Sequence, residues 1–408
     1  MTGYSNQLHK QDRAYWDVVK GIGIIAIVLG HSASRLTAFV YLWHVPLFFF
    51  ITGYLYNEAK YRSDPFGYLG RRVKSTWPKF MLYAGVHVLF HNVLVRGGVY
   101  PPEELYSPSR MVTTFLLAVP YGISETTMGP LWFVPAWVTA SFLFALCMRV
   151  GNLVDIILHT SRVTSELVST ACALLMGALG LWLIGAGHVF PYDLQVSLLT
   201  VPLMYAAWLC RKRLECAGRA EPVQNTKSFI RLSSPVFLAA CVLVSGGILA
   251  ALNVFGHFYM ELRSGQIHGL LFYPVTLLGI GFCLCLAALV CRMGAGSIFR
   301  IIKRALAVLG SCSFDIMALH VLIFKLLDVA WVHVLHAGAA AGAGAGVGAG
   351  AGAAAAANAD AAAAVVSAAM AQLPAYPSSF PDEIGIIYRI MGLLIPTLLC
   401  LAWRRLHK

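Results

Sequence analysis

The sequence predicts an all-α, polytopic transmembrane bundle of about ten spans, with both termini on the cytoplasmic side. Three observations predict it. The 408 residues are 59% hydrophobic and only 12% charged, about half the charge of an average soluble domain. The apolar residues gather in stretches that are nearly free of charge and about long enough to cross a bilayer. The cations are also strongly asymmetric. With the chain numbered through ten spans, 24 of the 30 Lys and Arg fall on one side and four on the other, while Lys325 and Arg389 lie inside spans. The positive-inside rule places the richer side in the cytoplasm. The net charge of +12 is therefore a topology signal, and no nucleic-acid partner is read from it.

The expected spans are 21–38, 40–56, 79–95, 130–148, 168–187, 195–210, 235–255, 269–291, 305–330 and 384–403. Residues 1–408 read as a single membrane domain. Its polar first 17 residues are expected to run along the inner surface. The second span, YLWHVPLFFFITGYLY, has Pro46 early and Thr52-Gly53 late, which marks an irregular helix packed closely on a neighbour. The inner loop after it carries four cations between Arg71 and Lys79. The segment 116–123 is expected to dip into the interface without crossing. Trp132 and Trp137 are expected to anchor the fourth span at the outer surface, and the basic stretch 211–231 reads as a solvated cytoplasmic loop.

Residues 337–371 are dominated by Ala and Gly and are apolar enough to imitate a further span. Alternating Ala-Gly is a weak helix former, and an added span would move Arg404, Arg405 and Lys408 outside. The tract is therefore expected to be an outer loop, floppy or locally helical. Nine of the ten cysteines lie in or beside spans, and Cys216 lies in a cytoplasmic loop. That distribution suggests neither a disulfide framework nor a Cys-based metal site.

The candidate chemistry begins in DVVKGIGIIAIVLGHS, residues 17–32. At about 100° per residue, the eleven steps from Lys20 bring His31 back to within about 20° of the same line, roughly 16 Å along the axis. Asp17 lies within about 40° of that line. An ionisable residue inside a span is a functional hypothesis by default. Asp17 and Lys20 have a plainer reading as charges snorkelling to the inner surface. For His31 the plainer reading is a buried histidine bonded to a neighbouring helix. Its functional reading is a neutral imidazole in a low-dielectric pocket, suited to taking a proton from a hydroxyl. In the ninth span, Lys325 and Asp328 are spaced to pair. Asp315 and His320 stand about 140° apart and cannot share one face. His320 is the candidate for an acceptor pocket, with Trp132 and Glu261 as further outer-side candidates.

Taken together, these residues make the chain resemble the acyltransferase type 3 family of integral-membrane O-acyltransferases, in a branch similar to fucose and polysaccharide O-acetyltransferases. That family has an Arg, ten residues, then a His on its first span; here the pair is Lys20 and His31. Its FF-x-x-SG is similar to Phe48-Phe49 followed by Thr52-Gly53. Its R-x-x-R is similar to Arg71 and Lys74, followed by Trp77-Pro78. GPLWFVPAW (129–137) and SFDIMALH (313–320) resemble its later, weaker motifs.

The resemblance implies transfer of an acyl group, acetyl in that branch, from cytosolic acyl-CoA to a hydroxyl of a cell-surface or lipid-linked glycan. The setting is the bacterial cytoplasmic membrane, with the lipid bilayer as the remaining partner. His31 is implied as general base or transient acyl carrier, and Arg71, Arg72 and Lys74 as holders of the donor phosphates. No tightly bound cofactor and no metal are implied. Lys in place of Arg at 20 and 74 keeps the charge but loses bidentate geometry. The alternative reading is a glycan exporter whose intramembrane charges line a passage, although the internal symmetry typical of transporters is not visible.

Overall fold

Inside a bilayer the backbone can satisfy its own N–H and C=O groups only within a segment or a closed sheet, and every expected span is helical. The computed structural model describes residues 2–32, 34–122, 125–159, 162–217, 234–293, 297–345 and 382–407. In chain order the helices are α1 (Thr2–Gly30), α2 (Thr37–Tyr41), α3 (His44–Tyr54), α4 (Glu58–Tyr61), α5 (Pro65–Arg96), α6 (Pro108–Tyr121), α7 (Phe133–Leu158), α8 (Arg162–Gly185) and α9 (Leu194–Ala217). There follow α10 (Pro235–Val254), α11 (Phe272–Arg292), α12 (Ser297–Ser311), α13 (Ser313–Ala345) and α14 (Asp382–Leu406). The described residues hold no strand beyond an isolated bridge between Glu261 and Gln266. The protein is an all-α polytopic bundle.

Among the described residues, seven helical stretches are long and apolar enough to cross a membrane, or eight if one bent pair counts as a span. The two expected spans that fall short are 21–38 and 79–95. α1 stops at Gly30, which leaves only a short apolar run after Lys20. Within 79–95 of α5, Lys79, His87, His91 and Asn92 lower the hydropathy. The expected span 305–330 falls on the bent pair: α12 and α13 meet at 81°. Arg300, Lys303 and Arg304 lie in the first half of α12. The second span is also broken, between α2 and α3 at Leu42-Trp43. Pro46 falls in the first turn of α3, where its missing N–H has no partner to lose. α6 has 14 residues, about 21 Å, and covers 116–121 of the stretch expected to dip into the interface; residues 123–124 lie outside the described residues. Residues 337–345 continue α13 as helix, and 211–217 of the expected loop continue α9 as helix; the rest of the Ala-Gly tract and residues 218–233 lie outside the described residues.

Close backbone approaches set the packing. α1 crosses α12 where a Cβ on Gly21 would strike the Leu306 carbonyl, and one on Gly310 would strike the Asp17 carbonyl. α3 crosses α9 where a Cβ on Gly53 would strike the Met204 carbonyl. Basic residues at the ends of α9 and α14 bond to neighbouring elements. Arg211 of α9 donates to the carbonyls of Tyr54 (3.0 Å) and Tyr56 (2.8 Å). Arg404 of α14 donates to the Ser311 carbonyl at 2.6 Å, and Lys212 pairs with Glu166. This is the basic end of the bundle.

Candidate active site

α1, α3, α5, α7 and α13 enclose a cavity of about 640 Å³, within the roughly 300–1,000 Å³ usual for small-molecule sites. Its walls divide by chemistry. Lys20, Arg71 and Arg72 stand at the basic end with Asn57, Tyr61 and Ser75. Deeper in, Ile24, Ile27, Phe48, Ile51, Phe133, Val134 and Met317 make an apolar lining. Thr52 and Trp137 lie between the two.

Local contacts hold each cation in place. Lys20 pairs with Asp17 at 2.6 Å; Lys20 lines the cavity, whereas Asp17 sits at the α1–α12 crossing. Arg71 donates to the Tyr61 hydroxyl at 2.9 Å. Arg72 donates to the Tyr68 hydroxyl at 2.6 Å and lies 4.5 Å above the Trp137 ring, a cation–π arrangement. The Trp137 indole N–H in turn donates to Thr52 Oγ1 at 2.6 Å, and the Thr52 hydroxyl donates to the Phe48 carbonyl at 2.8 Å. A hydroxyl at position 52 thus joins the second-span motif to the wall that bears Arg72. Gly53 serves the adjacent backbone contact with Met204.

His31 follows Ile27 by one turn, its N–H bonded to the Ile27 carbonyl at 3.1 Å, just past the apolar end of the cavity. Its ring lies 5.2 Å from that of His320 and 6.2 Å from that of Tyr41. His320 is fully buried. Its Nδ1 bonds to the Ile316 carbonyl at 2.9 Å, which assigns the proton to Nδ1 and leaves Nε2 as the basic nitrogen. That Nε2 has no hydrogen-bond partner among the described residues. His44 donates in the same way to the Val40 carbonyl at 2.7 Å, and its ring is 4.7 Å from Tyr41. Tyr41 stacks on Tyr259 at 5.2 Å, so the loop between α10 and α11 covers the histidines on the side away from the cavity. Arg389 of α14 donates to the hydroxyl of Ser32, the residue after His31, at 3.1 Å. No group of His, Cys, Asp and Glu among the described residues is arranged to hold a metal ion.

A family model described as an acyltransferase domain (Acyl_transf_3) matches residues 13–352. The chain belongs to the acyltransferase type 3 family. The matched region contains every wall of the cavity and the His31–His320 pair, while α14 with Arg389 lies beyond it. No curated protein and no solved structure matches the chain. The protein is thus a membrane acyltransferase.

Among the expected site residues, Lys20, Phe48, Thr52, Arg71 and Arg72 share the cavity. Lys74 lines an adjoining cleft of about 460 Å³ with Lys60 and Arg71. Phe49 is buried away from the cavity, edge-on to Phe133 at 5.2 Å. Lys79 turns to Asp315 at 3.9 Å, whose carboxylate accepts from Tyr83 at 2.6 Å. Lys325 and Asp328 pair at 3.3 Å, and Tyr388 also donates to Asp328, at 2.7 Å.

Both tryptophans of GPLWFVPAW depart from the expected surface role. Trp132 is buried, edge-on to Phe133 at 6.5 Å, because the turn that carries it packs into the core instead of ending at an interface. Trp137 is a cavity wall. Glu261 lies in the covering loop and accepts from the Ser264 hydroxyl at 3.1 Å, two residues beyond Tyr259.

Sequence reasoning missed Trp137, His44 and Arg389 as parts of the site. Arg389 had a usable signal as one of two cations inside spans, and Trp137 lay within a quoted motif. A further buried group also went unread. His91 Nδ1 lies 3.1 Å from Glu125 Oε2, which accepts from the Tyr106 hydroxyl at 2.8 Å. Burial and the bond to Glu125 push the Tyr106 phenol up to about 12, so it remains a donor at neutral pH. This group does not line the cavity.

Proposed function

We propose that this acyltransferase moves an acyl group, acetyl in the first instance, from acyl-CoA to a hydroxyl of a cell-surface or lipid-linked glycan. The basic end and both termini face the cytoplasm of a bacterial cell, and the acceptor arrives from the opposite side. The observation that carries this reading is the cavity, which is cationic at its mouth, apolar in depth and ends one helical turn short of His31. An acyl-CoA has the matching form, with phosphates at one end and a long, weakly polar arm ending in a thioester. Arg71, Arg72 and Lys20 meet the phosphates, and the apolar walls exclude water from the thioester.

In this mechanism the imidazole of His31 accepts the proton of the acceptor hydroxyl as its oxygen attacks the thioester carbonyl. The carbon–sulfur bond breaks, and the imidazolium returns the proton to the departing thiolate. A stepwise variant passes the acyl group through the imidazole itself. Asp17 and Lys20, roughly 16–21 Å along α1 from His31, belong to donor entry and not to proton transfer. The test is transfer of radiolabel from acetyl-CoA in membranes holding wild type or His31→Ala. Equal labelling of acceptor by both would remove His31 from the chemistry.

A further inference from the structure

α1, the last turn of α11 and α12 enclose a second cleft of about 450 Å³ at the basic end. Its wall contains Arg292, Arg300, Lys303 and Arg304 beside Ala14 and Ala307, and it contains no carboxylate. Among the described residues, no acidic side chain forms an ion pair with Arg300, Lys303 or Arg304. The cleft shares no lining residue with the large cavity, so it is not the mouth of that site.

The rest of α12 indicates what occupies the cleft. At about 100° per residue, Ile298 and Ile302 fall on the face opposite Arg300, and Ile301 stands between Ile298 and Arg304. These three are open to the surroundings, with 58%, 61% and 38% of their surface exposed. The helix is turned 81° from α13. Cations on one face, bare aliphatic side chains on the other and a sharp turn away from the next span are the pattern of a helix lying in the membrane interface. Basic pockets at that depth bind anionic lipid headgroups.

We propose that this cleft binds the phosphate headgroup of an anionic phospholipid in the leaflet where α12 lies. A soluble polyphosphate offers the same phosphate chemistry, but it gives no reason for the exposed isoleucines that keep the cleft at the lipid surface. The bound headgroup sits between α12 and α1, next to the close crossing at Gly21 and Gly310. It therefore braces the helix that carries Lys20 and His31. The proposal does not depend on the acyl donor or acceptor.

The experiment uses the purified full chain in phosphatidylcholine bilayers with and without phosphatidylglycerol, reading melting temperature and the lipid retained in native mass spectrometry. Phosphatidylglycerol is expected to remain bound to wild type and to raise its melting temperature. Each cation near an anionic surface is worth about fivefold, so Arg300→Gln/Lys303→Gln/Arg304→Gln is expected to weaken retention about tenfold or more. Arg300→Lys/Arg304→Lys should retain the lipid, because point charges suffice. An unchanged melting temperature in pure phosphatidylcholine checks the fold of the triple variant. If it falls, Arg300→Gln and Lys303→Gln singly, each expected to lose part of the retention, decide instead. Retention equal to wild type in the Gln variants overturns the proposal. So does displacement of the lipid by millimolar inorganic pyrophosphate, which would assign the cleft to a soluble anion.

Discussion

The rings of His31 and His320 stand 5.2 Å apart, one just past the end of α1 and the other near the start of α13. The Ile316 carbonyl holds the Nδ1 proton of His320, so its basic nitrogen is available to a neighbouring imidazole or to an acceptor hydroxyl. If His31 removes the acceptor proton, its charged form arises beside a second base and not in a purely apolar wall. His31→Ala is expected to lower kcat by about 10²–10⁴, the range of a lost general base. His320→Gln should cost less, about tenfold to 10²-fold, with the donor KM little changed. Steady-state kinetics on both variants check this. A His320→Gln enzyme with wild-type kcat would make that ring a packing group.

Donor affinity should depend on Arg71 before Lys74, because Arg71 lines the main cavity and Lys74 only the cleft beside it. Loss of a charge-assisted hydrogen bond costs about 1.5–3 kcal/mol. Arg71→Ala is therefore expected to raise the acyl-CoA KM by about tenfold or more, with kcat nearly unchanged. Lys74→Ala should have a smaller effect. Equal effects at the two positions would show that the donor is held by general positive charge at this end.

Thr52 has a role that a volume-matched residue cannot fill. Its oxygen accepts from the Trp137 indole at 2.6 Å, and that indole supports Arg72. Thr52→Val leaves the indole N–H without its acceptor, at a cost of about 1–3 kcal/mol, whereas Thr52→Ser keeps the bond. Melting temperature in detergent should separate the two variants. The donor KM of the Val variant should rise as Arg72 loses its platform.

Features that follow one helix or one motif were legible in the sequence. The stripe from Lys20 to His31 and the pairing of Lys325 with Asp328 follow from residue spacing. Properties set by contacts between distant helices were not. Whether Trp132 anchors a surface or fills a core depends on the turn that carries it, and its neighbours in sequence do not reveal this. His44, Tyr41 and Tyr259 meet at the histidines only because the loop after α10 folds back over them. The 81° turn between α12 and α13 was hidden because residues 305–314 carry no charge across the break.

The glycines give a stability test with a built-in control. Ala is a better helix former than Gly by about 1 kcal/mol, so a glycine in open space should gain from substitution. Gly281 of α11 has nothing within 4 Å of a built Cβ, and Gly281→Ala is expected to leave stability unchanged or raise it by up to about 1 kcal/mol. Gly53 and Gly310 face backbone carbonyls, of Met204 and Asp17, and a backbone cannot move aside as the tip of a side chain can. Forcing a methyl group into such a contact costs about 1–3 kcal/mol or more. Gly53→Ala and Gly310→Ala should therefore melt well below wild type in detergent, and Gly310→Ala should also lose activity because it separates α12 from the helix bearing Lys20 and His31. If all three variants melted alike, the α3–α9 and α1–α12 crossings would be looser than the backbone contacts at Gly53 and Gly310 require.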